Sequence, residues 1–522
     1  MRTWWRARAS MALATGAFLL MATAACTPDE PVPPPEERSP RPLPTAFTGD
    51  PPPGLAGEPI RYLHGPGAAT PEILDDEMGV RIEALGDAFL ISSNSEEKHA
   101  LQRPADGAAL WEGDRRIDGF GAARDGSPVL FLAAAERDAT AVVDDTGTTV
   151  WSGADPREVF VGGVVVRRPV EWTAADPYGR FTVLDTEGDE LWTFAFAEPD
   201  DGGSGAVDDG ADVEADPDRF GVPVGAHGDV LLLDDGTGAL QARGIGGGGT
   251  GAASGDLLWG MAGDDAELGR STAVPRPRPR LVGFYPLPED PDAADTPADD
   301  TDGTPSPDTD QDRRGADGDG ADGDGGGGAG DRGGSGGADE AEDGKAAAPR
   351  ETVLVRWWLP DARSVLSLHD LHDGDVLWTR TEPGANPGGR DFASGHLPGT
   401  VHDAATGTLL LPQDSGATPM IAVDLLTGEI RWEFADGAER SISPAFALDG
   451  HIYGDARGQA GGTQVVLDAV TKRTVAEDLD AYVEAVTDDG HAIVVQDRQR
   501  FVFAPADGGP DGSPPPPRDG DD

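Results

Sequence analysis

The sequence predicts an all-β fold, a β-propeller of four-stranded blades with eight blades favoured and seven as the runner-up. Three observations predict it. A short phrase recurs along the chain; its clearest copies are 40 and 41 residues apart, in the range of about 40 to 50 residues that suits one blade per copy; and each copy has hairpin grammar, two β-rich runs joined by a corner that closes on Gly.

Aligned on a Gly four residues before a Trp, the copies are DGAALW (Gly107, Trp111), TGTTVW (Gly147, Trp151), EGDELW (Gly188, Trp192), SGDLLW ending at Trp259, DGDVLW (Gly374, Trp378) and TGEIRW (Gly428, Trp432). A degenerate copy, VVLDAVTKRTVAED, puts Lys472 where the others have Gly and lacks the Trp. In each corner an Asp such as Asp424 and nearby Thr oxygens can accept turn N–H groups, Gly supplies a positive φ, and the Trp on the outer strand can pack against the next blade.

Upstream of several copies lie two more strand-like runs, as in Gly119–Gly126 and Pro128–Ala134, or Ile442–Gly450 and His451–Ala456. Four strands per copy give blades near 77–113, 116–153, 158–195, 219–262, 279–380, 392–435 and 442–479. Three strand-like runs remain, within 481–506, and Glu58–Gly65 can supply their fourth. A blade shared by the two ends of the propeller, 57–504, would close the ring and protect its edges.

The N-terminus carries a different signal. An Arg-bearing start and a short apolar stretch, MALATGAFLLMATAA, precede the single cysteine, Cys26, and read as an export signal over 1–25. Thr23 to Cys26 resembles a bacterial lipobox, with Thr23 where Leu is usual, so Cys26 is the expected lipid anchor on the outer face of the cell membrane. Ordinary cleavage after Ala22-Thr23-Ala24 would instead give a secreted protein. One cysteine excludes an intramolecular disulfide, and a cysteine at a signal boundary is not a catalytic one.

Composition marks three segments as unable to fold alone. Residues 26–56 are a Pro-rich acidic tether; 288–349 are an Asp- and Gly-rich insertion between Leu281–Leu287 and Thr352–Leu359, paired as neighbouring strands of the fifth blade; 505–522 are an acidic tail. A further polar stretch, 199–218, reads as a surface loop. A net charge of −55 argues against nucleic acid as a partner.

The repeats resemble those of the PQQ-like, quinoprotein-type β-propeller family, over roughly 58–504. The resemblance implies a propeller lipoprotein. Its enzymes hold PQQ with calcium, use an Asp base and, among alcohol dehydrogenases, carry a vicinal disulfide, which Cys26 alone cannot form. No cofactor residue is assigned, and no cofactor is expected outside that alternative.

Other candidate sites weigh little. His369 and His372, with Asp370 and Asp373, have metal-ligand residue types, but they fall on the hairpin corner and are expected to be exposed turn residues without a third ligand. Gly333-Gly-Ser-Gly-Gly337 matches a nucleophile elbow in letters alone, and Asp308–Asp312 starts like a calcium loop but lacks its later ligands. Trp357 and Trp358 are adjacent on a strand, so they face opposite ways and one must be core.

The expected function is a non-enzymatic, membrane-tethered extracytoplasmic module that binds or scaffolds a protein or another component of the cell envelope. The alternative is a PQQ- and calcium-dependent oxidoreductase.

Overall fold

The computed structural model describes residues 46–63, 72–76, 79–133, 140–198, 219–246, 253–269, 276–287, 349–358, 363–382, 400–412, 420–434, 442–456, 464–477 and 479–506. Cys26, the segment 199–218, the Asp308 and Ser335 motifs and nearly all of the 288–349 insertion lie outside them.

The described strands form eight four-stranded antiparallel sheets, each a blade. Blade one is Val80–Leu85, Ala88–Ser93, His99–Gln102 and Ala109–Gly113. Blades two to seven repeat that up-and-down order over 117–153, 158–196, 222–262, 278–381, 401–433 and 442–477. Blade eight combines Tyr482–Val486, Ala492–Gln496 and Gln499–Phe503 with Arg61–Tyr62 from the other end of the chain. Only two residues of the expected 58–65 strand pair, Arg61 with Val502 and Tyr62 with Phe501.

At five of the eight junctions the first strands of neighbouring blades pack together, so first strands line the inside of the ring and the Trp-bearing fourth strands lie outside. The first–second and third–fourth corners therefore share one face, called here the corner face. In blade five the first corner is replaced by 288–349: Leu287 and Arg350 are the last described pair across it.

The apolar core is not central. Eight clusters of buried side chains each join two consecutive blades, from Leu85 and Leu130 between blades one and two to Ile493 and Ile82 between eight and one. Each sheet buries both faces against its neighbours, which is why its middle strands read as nearly unbroken Val, Leu and Ile. One charge pair shares this interior: Arg356 and Glu382 of blade five, both about 2% exposed by side chain, meet at 2.5 Å.

Composition groups 46–56 with the tether, but these residues are packed. Leu55 is buried and bridges to Pro505, the Phe47 ring lies 5.0 Å from that of Phe503, and the Tyr453 hydroxyl donates to the Pro53 carbonyl. The reason is a missing Trp. Ala476 occupies the position on blade seven's outer strand that Trp fills elsewhere, and Phe47 and Leu55 join the same cluster.

Candidate functional site

The corner face is where the repeated residues converge. In blade two the Asp144 carboxylate accepts the Thr148 N–H at 2.7 Å and the Thr146 N–H at 3.0 Å. Asp424 does the same for Leu426 and Thr427, and Asp468 for Val470 and Thr471. These bonds satisfy turn donors that no ladder reaches, so the corners are held in one conformation.

The Gly and the Trp of the phrase belong to different blades. A Cβ on Gly147 would lie 2.8 Å from Cβ of Trp111, one on Gly374 2.5 Å from the Trp259 ring, and one on Gly428 2.4 Å from the Trp378 ring. Each Gly thus leaves room for the Trp of the preceding blade. Trp259, Trp378 and Trp432 also donate Nε1–H, each at 2.9 Å, to the carbonyls of Leu371, Leu425 and Ala469 in the next blade's corner. Gly188 is the exception, with nothing within 4 Å; Trp151 packs instead 6.3 Å from the Phe160 ring. Trp192 lies beside Gly255. At the closing seam Arg61 replaces the Trp: its Nε donates to the Pro104 carbonyl at 2.7 Å and its Nη2 to Gln102 at 2.9 Å, beside Gly107.

Towards the ring's centre, the Gly228 N–H of blade four donates to the carbonyl of Arg124 in the first corner of blade two at 2.7 Å, and the Arg124 guanidinium donates back, Nε to the Gly228 carbonyl at 2.5 Å and Nη2 to the Gly246 carbonyl at 3.2 Å. In the two-glycine corner of blade three, Gly162 lies against Ala226 of blade four and Gly163 against Arg124. Protein therefore bridges this part of the channel mouth.

Beside it, carboxylates gather from three blades. Burial pushes the Asp488 carboxyl up, and Asp87, Asp145 and Asp489 push it further. Asp87 is raised in turn by burial, Asp489 and Asp145. Burial acts on Asp489 in the same direction, but His491 and the Thr487 hydroxyl outweigh it and hold that group low. Two exposed aliphatic side chains, Leu426 and Val470, occupy the same position in the adjoining corners of blades six and seven.

His369 corrects the sequence expectation. It is fully buried on a strand, stacked 5.6 Å from Trp259 and 2.6 Å from the Ser367 hydroxyl, and burial lowers its pKa to about 4. Alternation explains this: His369 points into the blade interface while the corner begins one residue later. His372 does lie in the corner, 3.3 Å from Glu351 and 3.7 Å from Asp229. His227 stands 3.9 Å from the other Glu351 oxygen. Sequence reasoning missed His227 and Glu351 because they come from other strands, and nothing in their local spelling marks them. Among the described residues no group of three or more His, Cys, Asp or Glu side chains is placed to hold a metal ion. Trp357 is wholly buried and donates to Ser367 at 2.7 Å, while Trp358 is partly exposed beneath the Arg280 guanidinium.

No protein-family model matches the sequence, and no curated protein matches it either. Among solved structures, the chain is similar to BamB from Moraxella catarrhalis at 13% identity, covering 81% of this chain and 96% of that one with a TM-score of 0.36. It is similar to a quinohemoprotein alcohol dehydrogenase from Pseudomonas putida at 13% identity, with coverage of 85% and 77% and a TM-score of 0.37. It is also similar to AztD from Citrobacter koseri at 13% identity, with coverage of 76% and 85% and a TM-score of 0.39. Likenesses this distant do not choose between a scaffold and an enzyme; the eight-bladed propeller rests on the chain's own strand order.

Proposed function

We propose that the protein is a non-enzymatic propeller that binds or scaffolds a component of the cell envelope, carried on the outer face of the membrane by a lipid at Cys26. The observation that supports this most is the corner face. Its turns are locked by Asp bonds and by Trp rings of neighbouring blades, and it carries acidic groups from blades one, two and eight on the same face as the exposed Leu426 and Val470. A rigid frame that gathers corners from many blades lowers the ordering cost of binding. The acidic charge suits a partner with cationic groups, and the two aliphatic side chains suit an apolar contact.

Photocrosslinking amino acids at Leu426 and Val470 test this in cells. The reading expects one discrete crosslinked envelope protein from both corner positions and none from Val475, exposed on an outer strand. Equal trapping from Val475, or none from the corners, contradicts it.

A further inference from the structure

The strap formed by 46–56 belongs to no blade, yet the ring holds it as a ligand is held. It crosses the seam between blades seven and eight, from Gln496 at the end of a blade-eight strand to Leu448 at the end of blade seven's first strand. The Gln496 side chain clasps Thr48 twice: its Oε1 accepts the Thr48 N–H at 2.9 Å, and its Nε2 donates to the Thr48 carbonyl. The Phe47 ring stands edge-on to Phe501 and Phe503, at 5.6 and 5.0 Å. Pro52 and Leu55 are buried, and between them the Pro53 carbonyl accepts from the Tyr453 hydroxyl. Gly54 takes φ +83°, and a Cβ there would stand 3.1 Å from Leu448.

Each contact reads a different feature of the strap: an aromatic ring, the peptide group beside it, a proline carbonyl, a glycine and an aliphatic side chain. Blades seven and eight have their four strands without it, and the chain passes through exposed Gly57 and Glu58 before pairing starts at Arg61. Withdrawing the strap therefore breaks no ladder. It leaves Phe501, Phe503, Tyr453 and Leu448 without the cover that the strap gives them, an aromatic-lined apolar groove. Grooves of that kind take proline-rich segments, whose fixed φ lowers the ordering cost.

We propose that the seam between blades seven and eight is a peptide-binding groove, occupied in cis by the chain's own strap. Its ligand in trans is an extended proline-rich segment of a partner, with an aromatic residue ahead of the prolines and a Gly-aliphatic pair after them, the features that Phe47, Pro51 to Pro53, Gly54 and Leu55 present. Attachment through a short connection gives the strap a local concentration on the order of millimolar. The groove therefore answers to a partner held close beside it, or to any such segment once the strap's own anchors are weakened. This inference is independent of the proposed binding at the corner face.

The test is titration of the full chain with a fluorescently labelled peptide, AFTGDPPPGLA, the sequence of 46–56. A chain carrying Phe47→Ala with Leu55→Ala, whose strap has lost both apolar anchors, should bind one peptide. The wild type, with its strap in place, should bind it at least about a hundredfold more weakly, the advantage of a tethered ligand over a free one. A peptide with Ala in place of its Phe should bind the variant at least about tenfold less well, as loss of a buried aromatic anchor does, and Gln496→Ala, added on the groove side, should weaken uptake too. Circular dichroism shows whether each variant is folded, and Phe47→Ala alone, at a partly exposed position, keeps the test open if the double variant is not. No uptake by a folded chain with a weakened strap overturns the proposal. Equal uptake by the wild type, or of the peptide without its Phe, also overturns it and would place the peptide on another surface.

Discussion

A Cβ on Gly428 would stand 2.4 Å from the Trp378 ring, although the two residues belong to different blades. Where the interlock forms, as at Gly147, Gly255, Gly374 and Gly428, a copy of the phrase supplies a Trp to the blade ahead and its successor supplies a Gly to the blade behind. The repeat is an interlock, and its chemistry is that of packing.

Gly428→Ala forces a side chain into φ +68° and into the Trp378 ring. Left-handed backbone costs about 1–2 kcal/mol and overpacking about 1–3, so a loss of roughly 2–5 kcal/mol is expected. Gly188→Ala meets nothing within 4 Å and should lose only the backbone share, about 1–2 kcal/mol. Urea midpoints of the two variants check the order; equal losses would refute the interlock.

Trp378→Phe keeps an aromatic ring against Gly428 but leaves the Leu425 carbonyl without its 2.9 Å donor. An unsatisfied buried acceptor costs about 1–3 kcal/mol, again readable by urea unfolding. No change would mean that water replaces the indole N–H.

His369 predicts a pH dependence. Its folded pKa is lowered to about 4 from 6.5, so between those values the unfolded chain binds a proton that the folded chain does not. Stability from this group is complete above pH 6.5 and declines as pH falls towards 4, by roughly 3 kcal/mol at most. His369→Phe, which keeps a ring beside Trp259, should flatten the difference between unfolding curves at pH 7 and pH 4.5.

The buried Arg356–Glu382 pair predicts a non-additive pair of substitutions. Glu382→Gln strands a charge and should cost about 3–5 kcal/mol, while Arg356→Met with Glu382→Leu should recover much of it. A double-mutant cycle in denaturant measures the coupling.

The lipid reading predicts that Cys26→Ser moves the protein from the membrane fraction to the soluble extracytoplasmic fraction. Retention at the membrane would remove the anchor from that residue.

Much of the fold was legible because the propeller writes each blade separately. Asp424, Gly428 and Trp432 lie within nine residues, so a local pattern was enough to count blades and to suspect closure by the two ends. What local spelling could not show was partnership. Arg61 substituting for a Trp, Phe47 filling the room beside Ala476, and His227 meeting Glu351 all join residues far apart in the chain. His369 shows the same limit at short range: its letters resemble those of the corner, and only its place in the strand alternation buries it.

The central claim is that the ring serves as a binding frame and not as a quinoprotein enzyme. The most direct measurement is calorimetric titration of the folded protein with PQQ in the presence of calcium. The account predicts no stoichiometric uptake. Tight one-to-one binding would contradict it and direct attention to an oxidisable substrate.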